Sequence, residues 1–271
     1  MAAIKISACL VVINEARLIE RCLKSLAGAV DEIIVVHDGS CSDQTLDICR
    51  QFGAAVWEKE FVGIAEPHRP FSYEQAQGEW ILQIDADEFL SNELSQGLRA
   101  LAANPRVAAY EFAWPLWDGE KEITRNWPYK RCFFRKDSLH FLGVPQFVAE
   151  VSGQVERCDL VLRHEPEYNN YRWSRFNSKW RPWAKIQARY YNQDFSVIKK
   201  FNYSGSDWPQ KILIRRQYPL VLLPFDFCLV FARTLLSGAW RSGLVGFKAA
   251  LLQGAYRALV DYYVFKYKIK K

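Results

Sequence analysis

The sequence predicts an α/β protein with a doubly wound, mostly parallel sheet, continued by a basic, aromatic, helical C-terminal region. Three observations carry that expectation. Through residues 1–104, short apolar runs alternate with segments of helical period, as parallel strands covered on both faces require. After Pro105 the rhythm changes to strand-rich, aromatic sequence. From Tyr168 the chain is basic and aromatic, and over 218–236 it is strongly apolar. With 271 residues, 50% of them hydrophobic and 24% charged, the chain can build a substantial core as one large domain or one domain with an appendage.

Residues 6–13 read as the first strand, with Asn14 as a helix N-cap and Leu18, Cys22 and Leu26 on the helix that follows. Residues 32–36 form a second strand, ended by the turn cluster His37, Asp38, Gly39 and Ser40. A helix with Leu46, Cys49 and Phe52, a short strand over 54–57, a helix over 71–77 and a strand from Trp80 come next. That strand ends in Asp85, Ala86 and Asp87. Carboxylates at the end of a buried strand are costly unless paired. On a strand these two would point to one side and call for a cation or cationic partners. Oxygen ligands with open positions suit Mg²⁺ or Mn²⁺ held between carboxylates and phosphates. Asn14 with Glu15, Asp38 with Gly39, and Asp85 with Asp87 thus fall at three strand ends facing one crevice, where open α/β sheets bind ligands. Read alone, Asp38-Gly39 is also compatible with a plain turn. Residues 107–114 and 140–163 supply further strands.

The net charge of +6 is unevenly spread. Residues 1–156 hold 15 Lys/Arg against 23 Asp/Glu, and residues 157–271 hold 21 against 7, balances of −8 and +14. That split predicts an anionic partner for the C-terminal part. No helix-turn-helix, RRM-like or zinc-finger pattern occurs, so nucleic acid is not the expected partner. The seven cysteines are scattered and form no Cys-x-x-Cys, and there are only four histidines. Most of the cysteines read as small buried hydrophobes, in a reducing, cytoplasmic setting. Residues 1–7 run into the first strand without a signal-peptide pattern. A G-x-G-x-x-G fingerprint, a P-loop and a G-x-S-x-G elbow are all absent, which disfavours dinucleotide dehydrogenases, P-loop enzymes and serine hydrolases.

Residues 7–15 (SACLVVINE), 31–40 (DEIIVVHDGS) and 78–88 (GEWILQIDADE) resemble, in order and spacing, the family-2 inverting glycosyltransferases of GT-A fold. The likeness is closer to bacterial lipopolysaccharide-core and polysaccharide sugar transferases. Residues 131–135 (RCFFR) and 148–150 (VAE) are similar to an Arg-x-Phe-Arg and a Val-His-Glu segment of those enzymes. The resemblance implies a GT-A catalytic domain over 1–165, with a nucleotide-sugar half over 1–104 and an acceptor half over 105–165, and a helical region over 166–271. It implies a nucleotide-sugar donor, in particular a UDP-sugar, a divalent cation (Mg²⁺ or Mn²⁺), and a glycan or lipid-linked acceptor. Glu15 and Asp38 would contact the nucleoside, and Asp85 would place the ribose and donor sugar. Asp87 would ligate the metal, with Arg69 a basic residue near the donor and Arg131 and Arg135 on the substrate. Three departures stand out: one extra residue before Asp43, Pro70 in place of a common Asn, and Ala149 in place of the His.

Inversion requires an acceptor hydroxyl to attack the anomeric carbon while a carboxylate removes its proton, and a metal offsets charge on the departing diphosphate. Glu150 is the expected base, or else a surface carboxylate at a strand end; Asp118 is the weaker candidate. His164 is either a further metal ligand or a structural histidine. Two other functions are compatible with the same residues: transfer to a polyprenyl phosphate, or a sugar-nucleotide-binding module without catalysis.

The apolar run over 219–232 is interrupted by Pro224 and Asp226 and is shorter than the ~20 residues a spanning helix needs. Leu244, Phe247 and Leu251 repeat at helical spacing near Arg241, Lys248 and Arg257. The expectation is peripheral attachment to an anionic membrane, on the inner face of the cytoplasmic membrane. Phe225, Phe227, Trp240 and Phe247 would enter the acyl boundary, and Arg215, Arg216, Lys268, Lys270 and Lys271 would face the headgroups. A helical subdomain packed on the core, or a dimer contact, is the alternative. The oligomeric state is left open.

Overall fold

The computed structural model describes residues 4–124 and 127–269; Lys270 and Lys271, assigned above to the basic tail, lie outside them. Strands β1 (Ile6–Val12), β2 (Glu32–Asp38), β3 (Ala55–Lys59) and β4 (Trp80–Gln83) are parallel in the order β3-β2-β1-β4. All of β1 is buried, the consequence of helices packing on both faces of a parallel sheet. Helices α1 (Ile19–Leu26), α2 (Thr45–Gln51) and α3 (Arg69–Gln75) occupy the intervals between these strands. In α1, Ile19, Cys22, Leu23 and Leu26 share the buried face. The helix begins at Ile19, so Asn14 is not its cap. Asn14 instead adopts a left-handed conformation (φ 49°), and its side chain accepts from the Ser42 N–H at 2.8 Å.

The sheet continues through β5 (Glu88–Leu90), β6 (Val107–Ala113), β7 (Tyr129–Arg135) and β10 (Gln154–His164), in the full order β3-β2-β1-β4-β7-β6-β10-β5. Strand β7 is antiparallel to β4 and β6, β10 is parallel to β6, and β5 is antiparallel to β10. The result is the mostly parallel sheet the sequence predicts. Helix α4 (Asn92–Ala102) is capped by Ser91, whose Oγ accepts from the Leu94 N–H, and buries Leu94, Leu98 and Ala102 along one face. Trp80 anchors the core, stacked on Phe133 at 4.5 Å and on Tyr110 at 5.9 Å. Gly78 lets the chain enter β4 close to β1: a Cβ there would lie 2.8 Å from the Ser7 nitrogen.

A second sheet has the order β11-β8-β9, from β8 (Leu139–Leu142), β9 (Glu150–Val151) and β11 (Lys200–Phe201). The C-terminal region adds the short α5 (Trp173–Arg175), a π-helical turn over Phe176–Trp180, and α6 (Arg181–Tyr191). It ends with α7 (Gln210–Gln217), α8 (Pro219–Leu236) and α9 (Gly243–Lys268). Strand β11 pairs with β8, and Leu142 and Val144 share a core with Ala184, Tyr191, Tyr256 and Val260, so the parts of the chain on either side of residue 165 pack together.

Contrary to the expected interruption, α8 runs unbroken through Pro224 for 18 residues, ~27 Å of helix. By length and composition it could cross a membrane, with a mean hydropathy of 1.8, and only 17% of it is buried. Asp226 does not break it because its carboxylate turns inward. Gly254 of α9 allows the close crossing, since a Cβ there would lie 2.9 Å from the Phe227 carbonyl oxygen.

Candidate active site

The strand order diverges on either side of β1 and β4, and the acidic residues gather at the carboxyl ends of those strands, the switch point of a doubly wound sheet. Asp85 and Asp87 lie just beyond β4, in a tight turn closed by the Glu88 N–H donating to the Asp85 carbonyl at 3.0 Å. They are therefore not on the strand, and they have different partners. Asp85 is clamped by two cations: Arg69 Nη2 lies 2.7 Å from Oδ1, and Lys130 Nζ lies 2.8 Å from Oδ2. Burial would raise its pKa, but Lys130 and Arg69 hold the carboxyl far below the usual carboxylate range. Behind Lys130, Glu88 accepts from Nζ at 2.6 and 2.7 Å, from Trp114 Nε1 at 2.6 Å, and from the Asp85 N–H at 2.9 Å.

Among the described residues Asp87 has no such clamp. Its Oδ2 lies 3.3 Å from His164 Nε2. The His164 ring is held by Trp114, stacked at 3.9 Å and 21°, and its Nδ1 has no partner among the described residues. Two ligands of a small divalent cation, each about 2.1 Å from it, sit about 3 Å apart when adjacent, so this carboxylate–imidazole pair fits a cation. Asp85 does not, because both its oxygens already face cations. Asp87 is 25% exposed, within reach of a ligand.

Glu15 follows β1 and faces the same acids. Burial, reinforced by Asp87 and Asp85, pushes its carboxyl up to about 7. Across from it stands Lys179, on the π-helical turn. Its Nζ donates to Asn170 Oδ1 at 2.8 Å and lies 4.7 Å from the Trp183 ring. Burial lowers its pKa against the opposing charges of Asp87 and Glu15. Such turns interrupt helices at functional positions, and this one carries a C-terminal cation to the acidic cleft.

Asp38 is buried and already engaged. It accepts from the Val62 N–H (2.6 Å), the Gly63 N–H (2.7 Å) and His68 Nε2 (3.0 Å). Burial would raise its carboxyl, yet these bonds hold it below its ordinary value. In this structure Asp38 shapes the crevice wall. Asp43 ties two loops together, accepting from the Ala16 N–H (3.1 Å) and the Thr45 N–H (2.9 Å).

Two assignments are corrected. Arg135 pairs with Trp80, at the end of β4 remote from Asp85. Its guanidinium donates to the Val107 and Asn104 carbonyls (3.2 and 3.1 Å) and covers the Trp80 ring at 5.0 Å. It is structural and out of reach of the crevice. Arg131 pairs with Glu111 (2.9 Å) and donates to the Ala149 carbonyl (3.2 Å), so it positions the segment before Glu150. Its neighbour Lys130, on the opposite side of the strand, is the residue that reaches Asp85. Strand alternation puts the two on opposite faces, and the pairing of β7 decides which of them meets Asp85.

Glu150 is exposed on β9, with Lys211 Nζ at 3.6 Å. It shares no hydrogen bond or ion pair with the Asp85–His164 cluster among the described residues. Upstream of it, the Gln146 N–H donates to Glu66 at 3.0 Å. Asp118 caps its own turn, accepting from the Glu120 and Lys121 N–H groups at 2.9 Å.

The switch point of this α/β sheet, where open sheets of this kind bind ligands, thus presents one clamped and one open carboxylate. Residues 7–149 match glycosyl transferase family 2, and the chain belongs to that family, with the GT-A type of α/β fold expected of it. An uncharacterized glycosyltransferase of Rickettsia felis is 35% identical over 132 residues, 47% of this chain and 46% of that protein. A Rickettsia bellii counterpart is also 35% identical, over 44% of its own length. The chain thus spans about half the length of these curated relatives. The lipopolysaccharide core biosynthesis glycosyltransferase LpsC of Rhizobium meliloti is 26% identical over 266 residues, 94% of this chain and 89% of LpsC. Among solved structures, residues 1–349 of Staphylococcus aureus TarS align at a TM-score of 0.45 with 16% identity, over 98% of this chain and 92% of that one. Glucosyl-3-phosphoglycerate synthase of Mycobacterium tuberculosis, crystallised with Mn²⁺ and UDP, aligns at 0.36 with 22% identity, over 42% and 45%.

Proposed function

We propose that the protein is an inverting glycosyltransferase that moves a sugar from a nucleotide-sugar, specifically a UDP-sugar, to a hydroxyl of a bacterial envelope glycan or glycolipid, assisted by Mg²⁺ or Mn²⁺. The observation that carries this reading is the division of labour between acids one residue apart: Asp85 sealed by Arg69 and Lys130, Asp87 left open beside His164. The match to LpsC across 94% of the chain supports a role in the lipopolysaccharide core. Asp87 and His164 would hold the cation, which supplies charge neutralisation for the departing diphosphate.

Asp85, fixed as an anion, accepts hydrogen bonds from ribose or sugar hydroxyls. Glu15 and the wall shaped by Asp38 face the nucleoside. Lys179 adds positive charge to the diphosphate from the C-terminal side, a charge-assisted contact. Lys179→Met should lower kcat/KM for the donor by roughly tenfold to a hundredfold, with partial rescue by Lys179→Arg. An unchanged kcat/KM would reduce Lys179 to a packing residue.

Glu150 removes the acceptor proton once the acceptor displaces Lys211. Glu150→Gln should lower turnover by ~100-fold with donor affinity little changed. If the rate is unaltered, the base lies elsewhere and Glu15 is next, because its carboxyl is poised near neutrality. Release of UDP from a panel of UDP-sugars with Mn²⁺ tests the reading as a whole. Binding without turnover of any nucleotide-sugar would favour the non-catalytic module, to which Ala149 in the 148–150 segment also points. A polyprenyl-phosphate acceptor is the second reading, favoured by the exposed apolar face of α8.

A further inference from the structure

We propose that α8 and the turn into α9 form a docking surface for an anionic lipid bilayer, with α8 lying along the membrane instead of across it. The proposal does not depend on the chemistry of the acidic cleft. Val221, Phe225, Leu229 and Leu236 are 61%, 67%, 64% and 81% exposed along one face of α8, and Trp240 and Leu244 extend the patch at 62% and 72%. Contiguous apolar surface of this extent is rare on monomeric soluble proteins and marks an interaction site.

The opposite face shows why the helix lies flat. Asp226 is buried there, paired with Arg215 and with Arg257 Nε at 3.4 Å, and Thr234 donates to Gln253 at 3.0 Å. Crossing the bilayer would carry this ionic network into hydrocarbon, where charges are heavily disfavoured. Lying in the interface leaves the network in protein and puts only the apolar face into the acyl boundary.

Charge selects the occupant. Asp226 is the sole acidic residue over 219–248, and it is buried, so the exposed charges of this segment are Arg233, Arg241 and Lys248, all positive. Arg241 lies 5.3 Å from the Trp240 ring at the hairpin tip, an aromatic–basic pair suited to headgroup depth. A second copy of the chain meeting this face about a two-fold axis would bring the same cations together. Anionic headgroups complement them. Arg215, assigned above to the headgroups, is buried in the network and contributes nothing to this surface.

Flotation of the full chain with vesicles of equal parts phosphatidylglycerol and phosphatidylcholine tests this. The protein should float at low salt and bind phosphatidylcholine vesicles more weakly. Combined Arg233→Gln, Arg241→Gln and Lys248→Gln should weaken binding to the anionic vesicles roughly a hundredfold and flatten its salt dependence. Phe225→Ser with Leu229→Ser, at exposed positions, should keep the circular-dichroism melt and abolish flotation. The proposal is overturned if the wild-type chain stays unbound at low salt, or if the Phe225→Ser, Leu229→Ser variant floats as the wild type does. It is equally overturned if the chain sediments as a dimer that this variant disperses while vesicles bind no protein.

Discussion

Asp87→Ala should lower transfer by roughly a thousandfold, the rate equivalent of about 4 kcal/mol, and abolish the response to Mn²⁺. The fold should survive. Among the described residues the Asp87 carboxylate is paired with His164, at 3.3 Å, and the backbone bond from the Glu165 N–H to the Asp87 carbonyl (2.9 Å) does not involve the side chain. Removing it leaves no clamped partner behind. Asp85→Ala makes the contrast, because it strips the shared counter-ion from Arg69 and Lys130 and leaves two like charges facing each other, which destabilises the protein. Mn²⁺ with UDP should raise the melting temperature of the wild type and of Glu150→Gln, since a ligand bound only to the folded state stabilises it. The same additions should not raise that of Asp87→Ala. Wild-type turnover by Asp87→Ala, or full wild-type turnover in excess EDTA, would refute the assignment.

How far the sequence discloses this site depends on whether each contact is local. The first, second and fourth strands are legible because parallel strands buried on both faces must be continuous apolar runs. Asp38, Asp85 and Asp87 are conspicuous because charge is costly at such ends. Which face a residue takes within β7 is not legible from composition. Lys130 and Arg131 are adjacent and both basic, and only the pairing of β7 with β6 and β4 sends one to Asp85 and the other to Glu111. Lys179 reaches the cleft through a π-helical turn that has no sequence signature. The +14 balance is partly consumed within the molecule, as Lys211 faces Glu150, Arg163 faces Glu122 and Arg157 faces Glu111. Pro224 misleads for the opposite reason: the local breaking signal is real, but packing of α8 on α9 outweighs one lost helical bond.

Arg215→Met should destabilise the protein by about 3–5 kcal/mol, a fall in melting temperature of roughly 10 °C for a domain of this size. Arg215 joins α7 to α8 and α9: it pairs with Asp226, and its Nε lies 2.6 Å from Asp261 Oδ1. Asp261 lies 46 residues along the chain from Arg215. Methionine fills the volume but leaves two buried carboxylates whose one remaining cationic partner among the described residues is Arg257, 3.4 Å from Asp226. Asp261 is fully buried. Burial, with Asp226 adding to it, pushes its carboxyl up to about 7 in spite of Arg215. A carboxyl raised on folding holds a proton that the unfolded chain releases, so its contribution to stability is greatest below the unfolded value near 3.9 and is lost as pH rises toward about 7. Urea midpoints should therefore fall across that window through this group, and Asp261→Asn should flatten the fall. In the Arg215→Met background the carboxyl rises further, so the loss should continue above about pH 7, and adding Asp261→Asn should recover part of it by removing one uncompensated charge. If Arg215→Met instead shifts stability by no more than the ~0.5 kcal/mol typical of surface substitutions, the network is solvated. Arg215 would then return to the headgroup-facing role the sequence suggests for it.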